Sequence, residues 1–287
     1  MSLKQATTQD YQERVNRVLV YISEHLDEKL DLEQLAAVSN FSVFHFHRIM
    51  RAHIREPLAG YITRLRLENA ARMLQFSNDA ITDIAFRIGY ESAAAFTKAF
   101  KKRFAVAPSD YRSSDPIKGE VLSDEEFETS LSLDPKIKNC KALKVIFIRS
   151  MGDYSSEGTG RAWMDLFQFA KEKKLFGWKT EMIGIGLDDP TITEAEQRRY
   201  DACISISKEI KAEGKVGVQT LEGGKYAVFK YKGSCARLAA VYNSIFGKWY
   251  PGSGCELRDC PVLEKYLNNP EKTRPEKLLT EIWVPVR

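Results

Sequence analysis

The chain has 287 residues, 44% apolar and 29% charged, with a formal net charge of +4. That balance describes a globular, soluble protein, and the length exceeds what one core commonly fills, so two domains are expected. No apolar run approaches the roughly 20 residues of a membrane helix, and the polar opening "MSLKQATTQDYQERV" is not a secretory signal, so a cytoplasmic protein with no membrane partner is expected.

Residues 10–26 place Val15, Val18, Leu19 and Ile22 at i, i+3, i+4 and i+7, which predicts an amphipathic helix. In "DLEQLAAVSNFS", Asp31 and Gln34 have capping-box spacing, so a second helix is expected from Leu32. Ala36 precedes Asn40 by four residues, and Ser42 is suited to cap a third helix. "DIAFRIGYESAAAFTKAFKKRF" repeats the plan, with Ala85 four residues before Gly89 and Ser92 as the next cap. A small residue where two helices cross and a left-handed turn residue after it describe a helix-turn-helix, expected here at about 31–54 and 80–104.

The third helix splits by face. Phe46, Ile49 and Met50 form an inward stripe, while Phe44, His47, Arg48 and Arg51 recur at i, i+3, i+4 and i+7 on another side. In the second unit Phe96, Ala99 and Phe100 point inward, and Ala94, Thr97, Lys98 and Lys101 form the matching outer stripe. These stripes account for an uneven charge pattern. Residues 41–72 carry 6 Lys/Arg against 2 Asp/Glu and residues 93–112 carry 5 against 1, whereas residues 1–40 and 73–92 are acidic. Two basic faces in register predict contact with double-stranded DNA. From residue 57 to about 74, Leu58, Tyr61, Ile62 and Leu65 give a connecting helix about 27 Å long. That is close to the ~34 Å separating successive major grooves on one side of a duplex.

His45, His47 and His53 are three of the chain's four histidines. On a helix His45 and His47 point roughly 160° apart, and His53 lies about 12 Å further along, so no shared metal is expected. Five cysteines without paired spacing fit a reducing compartment, and "CELRDC" has no second half to complete a zinc site. No cofactor is implied.

The spacing of "LDLEQLAAVSNFSVFHFHRIM", the connecting helix, and "ITDIAFRIGYESAAAFTKAFKKRFAVAPSDYR" resemble the AraC/XylS class of transcription regulators over about residues 10–113. The resemblance implies that both recognition helices enter the major groove of promoter DNA. Base reading then falls to Phe44, His47, Arg48, Thr97 and Lys98. Where relatives often carry polar residues, this chain has Ala93, Ala94 and Ala95. The second unit is therefore expected to discriminate bases less, with Lys98, Lys101, Lys102 and Arg103 mainly gripping phosphates.

The Ser-, Asp- and Glu-rich stretch 114–133 is expected to be a linker between a DNA-binding domain, 1–113, and a second domain, 134–287. That second domain contains a weaker repeat. "LKVIFIRSMGDY" reads as a strand with a Gly turn, and Trp163, Leu166, Phe167 and Ala170 make a helical stripe after it. "GKYAVFKYKGSC" is again a strand, followed by Leu238, Val241, Tyr242 and Ile245 at the same spacing. "EMIGIGLDD", "YDACISI" and "LLTEIWVPV" are strand-like runs after the helices. The expected class is α+β: two strand-helix-strand-strand repeats with pseudo-twofold symmetry and a groove between them.

"GLDDP…RRYDACISI", "LEGGKYAVFKYKG", "YPGSGCELRDCPVLEKY" and "LLTEIWVPV" resemble the gyrase-inhibitor-like, or effector-binding, fold. An AraC-type regulator carrying that domain downstream matches the Rob-type arrangement. The resemblance implies a pocket for an amphipathic or cationic small molecule facing a Glu on the last strand, here Glu281, with Trp283 on the same strand face. Trp163, Tyr231 and Tyr242 are further candidates for its wall. The expected protein is a non-enzymatic transcription regulator whose partners are promoter DNA, RNA polymerase and an unknown small-molecule effector. Two other readings of the domain are a small hydrolase with Glu281 as general base and a pure protein-interaction module. The second half contains no histidine to assist catalysis.

Overall fold

The computed structural model describes residues 3–114, 122–123, 130–154 and 157–287, with side chains from residue 10 onward. The chain divides into two compact units, one built from the N-terminal helices and one from a C-terminal sheet. Of the expected linker, residues 115–121 and 124–129 lie outside the described residues. Within the same span Leu122 and Leu131 are buried in the core of the sheet unit, and the Leu122 N–H donates to Ser244 Oγ.

The first unit takes in residues 212–217 as well, and its N-terminal stretch is helical: α1 Leu3–Glu24, α2 Leu32–Ser39, α3 Val43–Ile54, α4 Leu58–Phe76, α5 Ile81–Arg87, α6 Ala93–Phe104 and α7 Pro108–Arg112. Its boundaries follow local chemistry. Asp31 accepts from the Gln34 N–H at 2.8 Å and starts α2. The reciprocal half of the capping box is absent, because the Gln34 side chain donates instead to the Tyr21 hydroxyl. Ser42 and Ser92 cap α3 and α6. Asn40 and Gly89 take the left-handed conformation, with φ of 53° and 80°. Pro57 sits at the N-cap of α4.

Val15, Val18, Leu19 and Ile22 of α1 close a core with Leu35, Ala36, Phe46, Met50 and Leu65. Ala36 and Ala85 are both fully buried, as close helix crossing demands. In the second half of this unit Phe96, Phe100, Phe104 and Tyr111 form a chain of ring contacts with centroids 4.5–5.4 Å apart.

The second unit holds strands β1 Lys136–Cys140, β2 Leu143–Met151, β3 Met182–Gly186, β4 Arg199–Ser205, β5 Gly217–Leu221, β6 Gly224–Lys232, β7 Leu263–Tyr266 and β8 Leu279–Pro285. Its two longer helical elements are α8 Glu157–Glu172 and α9 Leu238–Ser244, the latter running on into a π-helical turn, Ile245–Trp249. One sheet contains all eight strands in the order β1-β6-β8-β7-β3-β4-β2-β5. Most residues of the stripes expected on the two helices face this sheet: Leu166 and Ala170 of α8, Val241 of α9 and Ile245 of the π-helical turn are fully buried, whereas Phe167 of α8 is exposed.

Cross-strand partners share a sheet face, so the register sorts side chains. Between β6 and β8, Phe229 pairs with Ile282 and Tyr231 with Thr280 on the face covered by α9. Val228 pairs with Trp283 and Lys230 with Glu281 on the opposite face. Strands β1, β5 and β7 carry little apolar alternation and escaped the sequence reading. Among them β7 matters most.

Candidate functional site

The two recognition helices present what their periodicity implied. Phe46 and Met50 are fully buried, while Phe44 is 70% exposed and His47, Arg48 and Arg51 are exposed beside it. The Arg48 guanidinium lies 6.0 Å from the centre of the Phe44 ring, so a flat apolar ring and a forked donor stand together. On α6, Ala94, Lys98, Lys101 and Lys102 are exposed and Thr97 is half-buried, above the buried Phe96 and Phe100. Arg103 departs from expectation. It pairs with Glu68 of α4 at 3.5 Å and packs over Phe104, so it is engaged within the protein. Among the described residues no group of His, Cys, Asp and Glu is placed to hold a metal ion.

The five residues suggested for a ligand pocket do not come together. Glu281 and Trp283 do share a strand face, and the Trp283 indole N–H donates to Glu281 Oε2 at 2.9 Å. That face is the one turned away from α9. There Glu281 also accepts from Lys138 Nζ at 3.3 Å, and the ammonium groups of Lys138 and Lys265 lie 5.1 and 5.4 Å from the Trp283 ring. The carboxylate already has its cation. Tyr231 is buried in the apolar cluster beneath α9, and its hydroxyl donates to the Ser234 carbonyl, so it is a core residue. Trp163 and Tyr242 do reach a common site, built around a carboxylate that the sequence reading missed.

That carboxylate is Glu264, in the middle of the four-residue strand β7. It pairs with Ile282 of β8 and with Gly184 of β3, so it points to the helix-covered face. Tyr242 of α9 donates to its Oε1 at 2.9 Å, and Tyr266 donates to its Oε2 at 2.6 Å. Since the Tyr266 proton is committed to the carboxylate, the 3.0 Å contact between the Tyr200 and Tyr266 oxygens is donated by Tyr200. The Trp163 indole N–H then donates to Tyr200 at 3.2 Å. A directed chain of donors, Trp163 to Tyr200 to Tyr266, ends on the carboxylate. Tyr154 stands beside Tyr200, ring centres 6.0 Å apart, with its hydroxyl held by the backbone of Asp188.

Burial raises the Glu264 carboxyl above its ordinary range, and the two phenol hydrogen bonds only partly counter that. Burial likewise raises the hydroxyls of Tyr200, Tyr242 and Tyr266, with the neighbouring carboxylate adding to the effect. Two runs of rings lead outward. Trp163, Phe167 and Phe176 follow one another at 5.6 and 6.0 Å, and Tyr242 stacks with Phe246 at 6.5 Å and 11°. The site offers one desolvated carboxyl group among aromatic faces.

A signal for Glu264 was present. "LDDP" at Leu187 and "LNNP" at Leu267 are similar loops eighty residues apart, and the first follows directly on the end of β3. By analogy a strand had to end just before Leu267.

A family model described as a GyrI-like small molecule binding domain matches residues 133–287, and a helix-turn-helix domain model matches residues 35–114. The transcriptional regulator Rob of Salmonella typhimurium is 24% identical, an alignment covering 95% of this chain and 98% of Rob. The HTH-type transcriptional activator AarP of Providencia stuartii is 32% identical over 48% of this chain and 95% of AarP. Among solved structures, the DNA-binding domain of AdpA in complex with a target DNA is 28% identical, covers 34% of this chain and 89% of that domain, and superposes with a TM-score of 0.34.

Proposed function

Because the chain belongs to the GyrI-like small-molecule-binding proteins, in the branch joined to an AraC-type helix-turn-helix of transcription regulators, we propose that it couples reading of promoter DNA to capture of an aromatic cation at Glu264. The observation that carries the ligand class is the buried carboxylate with tyrosine donors on both oxygens and rings around it. An isolated buried charge is costly, and a cation answers it while its flat surface stacks on the rings. Neutral or anionic molecules gain nothing from the charge. We assign Glu264 to binding rather than catalysis, because two phenol protons on its oxygens weaken it as a base.

On the DNA side, Phe44, His47 and Arg48 read bases, Arg51 supports them, and Thr97 is the second unit's base reader. Lys98, Lys101 and Lys102 grip phosphates around the methyl surface of Ala94. RNA polymerase is the protein partner of such a regulator, and the cytoplasm its compartment. The domain division is a DNA-binding part, 1–113, and an effector-binding part, 134–287, the stretch between them lending Leu122 and Leu131 to the core of the sheet unit; that unit is made of two copies of one strand-helix-strand-strand plan. The supports for duplication are the sheet order, in which β2-β4-β3 and β6-β8-β7 run from opposite ends toward the centre, and the matching "LDDP" and "LNNP" loops. For ligand to alter DNA occupancy it must prefer one of two conformations of the chain.

N-methylacridinium and neutral acridine, near-isosteres differing in charge, test the reading by fluorescence titration at pH 7.5. The cation should bind at least about tenfold tighter than acridine, and Glu264→Gln should remove that preference. Equal affinities for both compounds in the wild-type chain would refute it. A labelled duplex selected by the chain from a random pool then reports whether the cation changes DNA affinity.

A further inference from the structure

Helix α4 joins the two helix-turn-helix units, and it carries more than apolar contacts. Arg66 projects from it and spends its guanidinium on three backbone carbonyls: Nε on Leu26 at 2.8 Å, Nη2 on Glu28 at 2.6 Å, and Nη1 on Gly89 at 3.2 Å. Leu26 and Glu28 belong to the turn that leads into the first helix-turn-helix, and Gly89 is the turn of the second. One side chain therefore ties both units to the same point on α4. Gly89 is required twice over. Its φ is 80°, and a Cβ there would come within 2.6 Å of the Arg66 guanidinium.

A second tie leaves α4 on roughly the opposite side, since residues two apart on a helix point about 160° apart. Arg64 pairs with Glu56, just beyond the end of recognition helix α3, at 2.7 Å, and with Glu68 at 3.1 Å. Glu68 in turn pairs with Arg103, in the last turn of recognition helix α6, at 3.5 Å. Arg64 and Glu68 are 6% and 8% exposed, so this chain of charges is held with little solvent screening. Charge-assisted bonds of this kind fix direction as well as distance.

We propose that Arg66 is a positioning residue that sets the separation and phase of the two readers, so that the protein accepts one base-pair spacing between its half-sites. The proposal rests on the reading that both outer faces meet the duplex. One base pair more or less moves the second half-site by about 3.4 Å and about a tenth of a turn, which two rigidly tied helices cannot follow. Arg66→Gln cuts the guanidinium fork while keeping a polar side chain of similar reach.

The test uses the full chain and a duplex that the wild-type chain selects from a random pool, remade with one base pair inserted or deleted between the half-sites. Wild type should lose about thirtyfold or more in affinity for each altered duplex, whereas Arg66→Gln should keep within about threefold of wild type on the selected duplex and lose only about threefold on the altered ones. Arg66→Lys, a point charge that reaches fewer carbonyls, should fall between. If Arg66→Gln weakens every duplex equally and keeps the wild-type ratio, or leaves all affinities unchanged, Arg66 does not set spacing. If wild type itself ignores the insertion, the two-reader reading fails instead. Should Arg66→Gln unfold, Glu68→Gln cuts the second tie and is read by the same ratio.

Discussion

Replacing Glu264 by Gln is expected to stabilise the fold while it abolishes cation binding. At pH 7.5 the wild-type site holds a carboxyl whose pKa is raised by burial, net of the bonds from Tyr242 and Tyr266. Each unit of such a rise withdraws about 1.4 kcal/mol of stability once the group ionises. Glutamine removes the charge but not the demand for partners. Its carbonyl accepts one phenol proton, and its amide must find an acceptor where Tyr266 already receives the Tyr200 proton. Leaving one neutral donor poorly paired costs about 1 kcal/mol or more. The expected outcome is a higher melting temperature for Glu264→Gln than for wild type at pH 7.5, the relief of the buried charge outweighing the poorly paired amide.

The pH dependence separates this account from general repacking. A folded-state pKa above the unfolded value means that the wild-type carboxyl contributes most below the ordinary carboxylate range of about 4.3, and progressively less as pH rises through the folded value. The advantage of Glu264→Gln should therefore give way near pH 4 to the cost of its poorly paired amide, and grow with pH until the wild-type carboxyl is ionised. Urea unfolding from pH 4 to 8 measures it, with two transitions fitted separately because the chain has two units. A loss of more than about 1 kcal/mol at pH 7.5, or a difference independent of pH, would show that the ionised carboxylate anchors the fold and that the argument from burial is wrong.

Cation affinity should rise with pH through the folded pKa of Glu264 and release a proton below it, which calorimetry in two buffers of different ionisation enthalpy detects. Gly184→Ala should weaken N-methylacridinium about tenfold, since a Cβ there overlaps the hydroxyls of Tyr200 and Tyr266 and breaks the donor chain to Glu264; unchanged binding by titration would count against that chain. Arg48→Ala should cost about 1–3 kcal/mol of DNA binding and relax sequence preference, while Lys102→Ala should weaken all duplexes alike and flatten the salt slope by about one. Filter binding across a salt series distinguishes the two patterns.

Much of the helical unit was legible because its signals are local. Caps at Asp31, Ser42 and Ser92 and small residues at Ala36 and Ala85 each act within a few residues of themselves. The inner and outer stripes of α3 and α6 follow from helical periodicity alone. The ties of α4 were not legible, because Arg66 bonds to backbone atoms 23 to 40 residues away and any carbonyl would look the same in a sequence. In the sheet unit the long strands β2, β6 and β8 announced themselves. Strand β7 did not: it has four residues, two of them charged, and its Glu264 is buried only because β3 and β8 flank it. Glu281 was the carboxylate that the resemblance to the effector-binding fold implied, as the Glu of the last strand. Strand parity places it on the sheet face turned away from α9, since one register position separates the helix-covered face from the other.

The pairing of Gly184 with Glu264 bears on how the proposed two-copy plan would yield a site for one carboxyl. On the two-copy reading, Gly184 of β3 and Glu264 of β7 occupy equivalent positions and meet across the junction of the copies. A carboxylate in both places would set two like charges side by side in a desolvated site, and both would not ionise. Glycine in one copy removes the second charge and also opens the volume that the Tyr200 and Tyr266 hydroxyls occupy, one from each copy. The donor chain therefore crosses the junction, running from Trp163 and Tyr200 of the first copy to Tyr266 and Glu264 of the second. A ligand that draws on Glu264 disturbs hydrogen bonds anchored in both copies. The proposed cation would thereby act on the whole sheet unit rather than on one half of it.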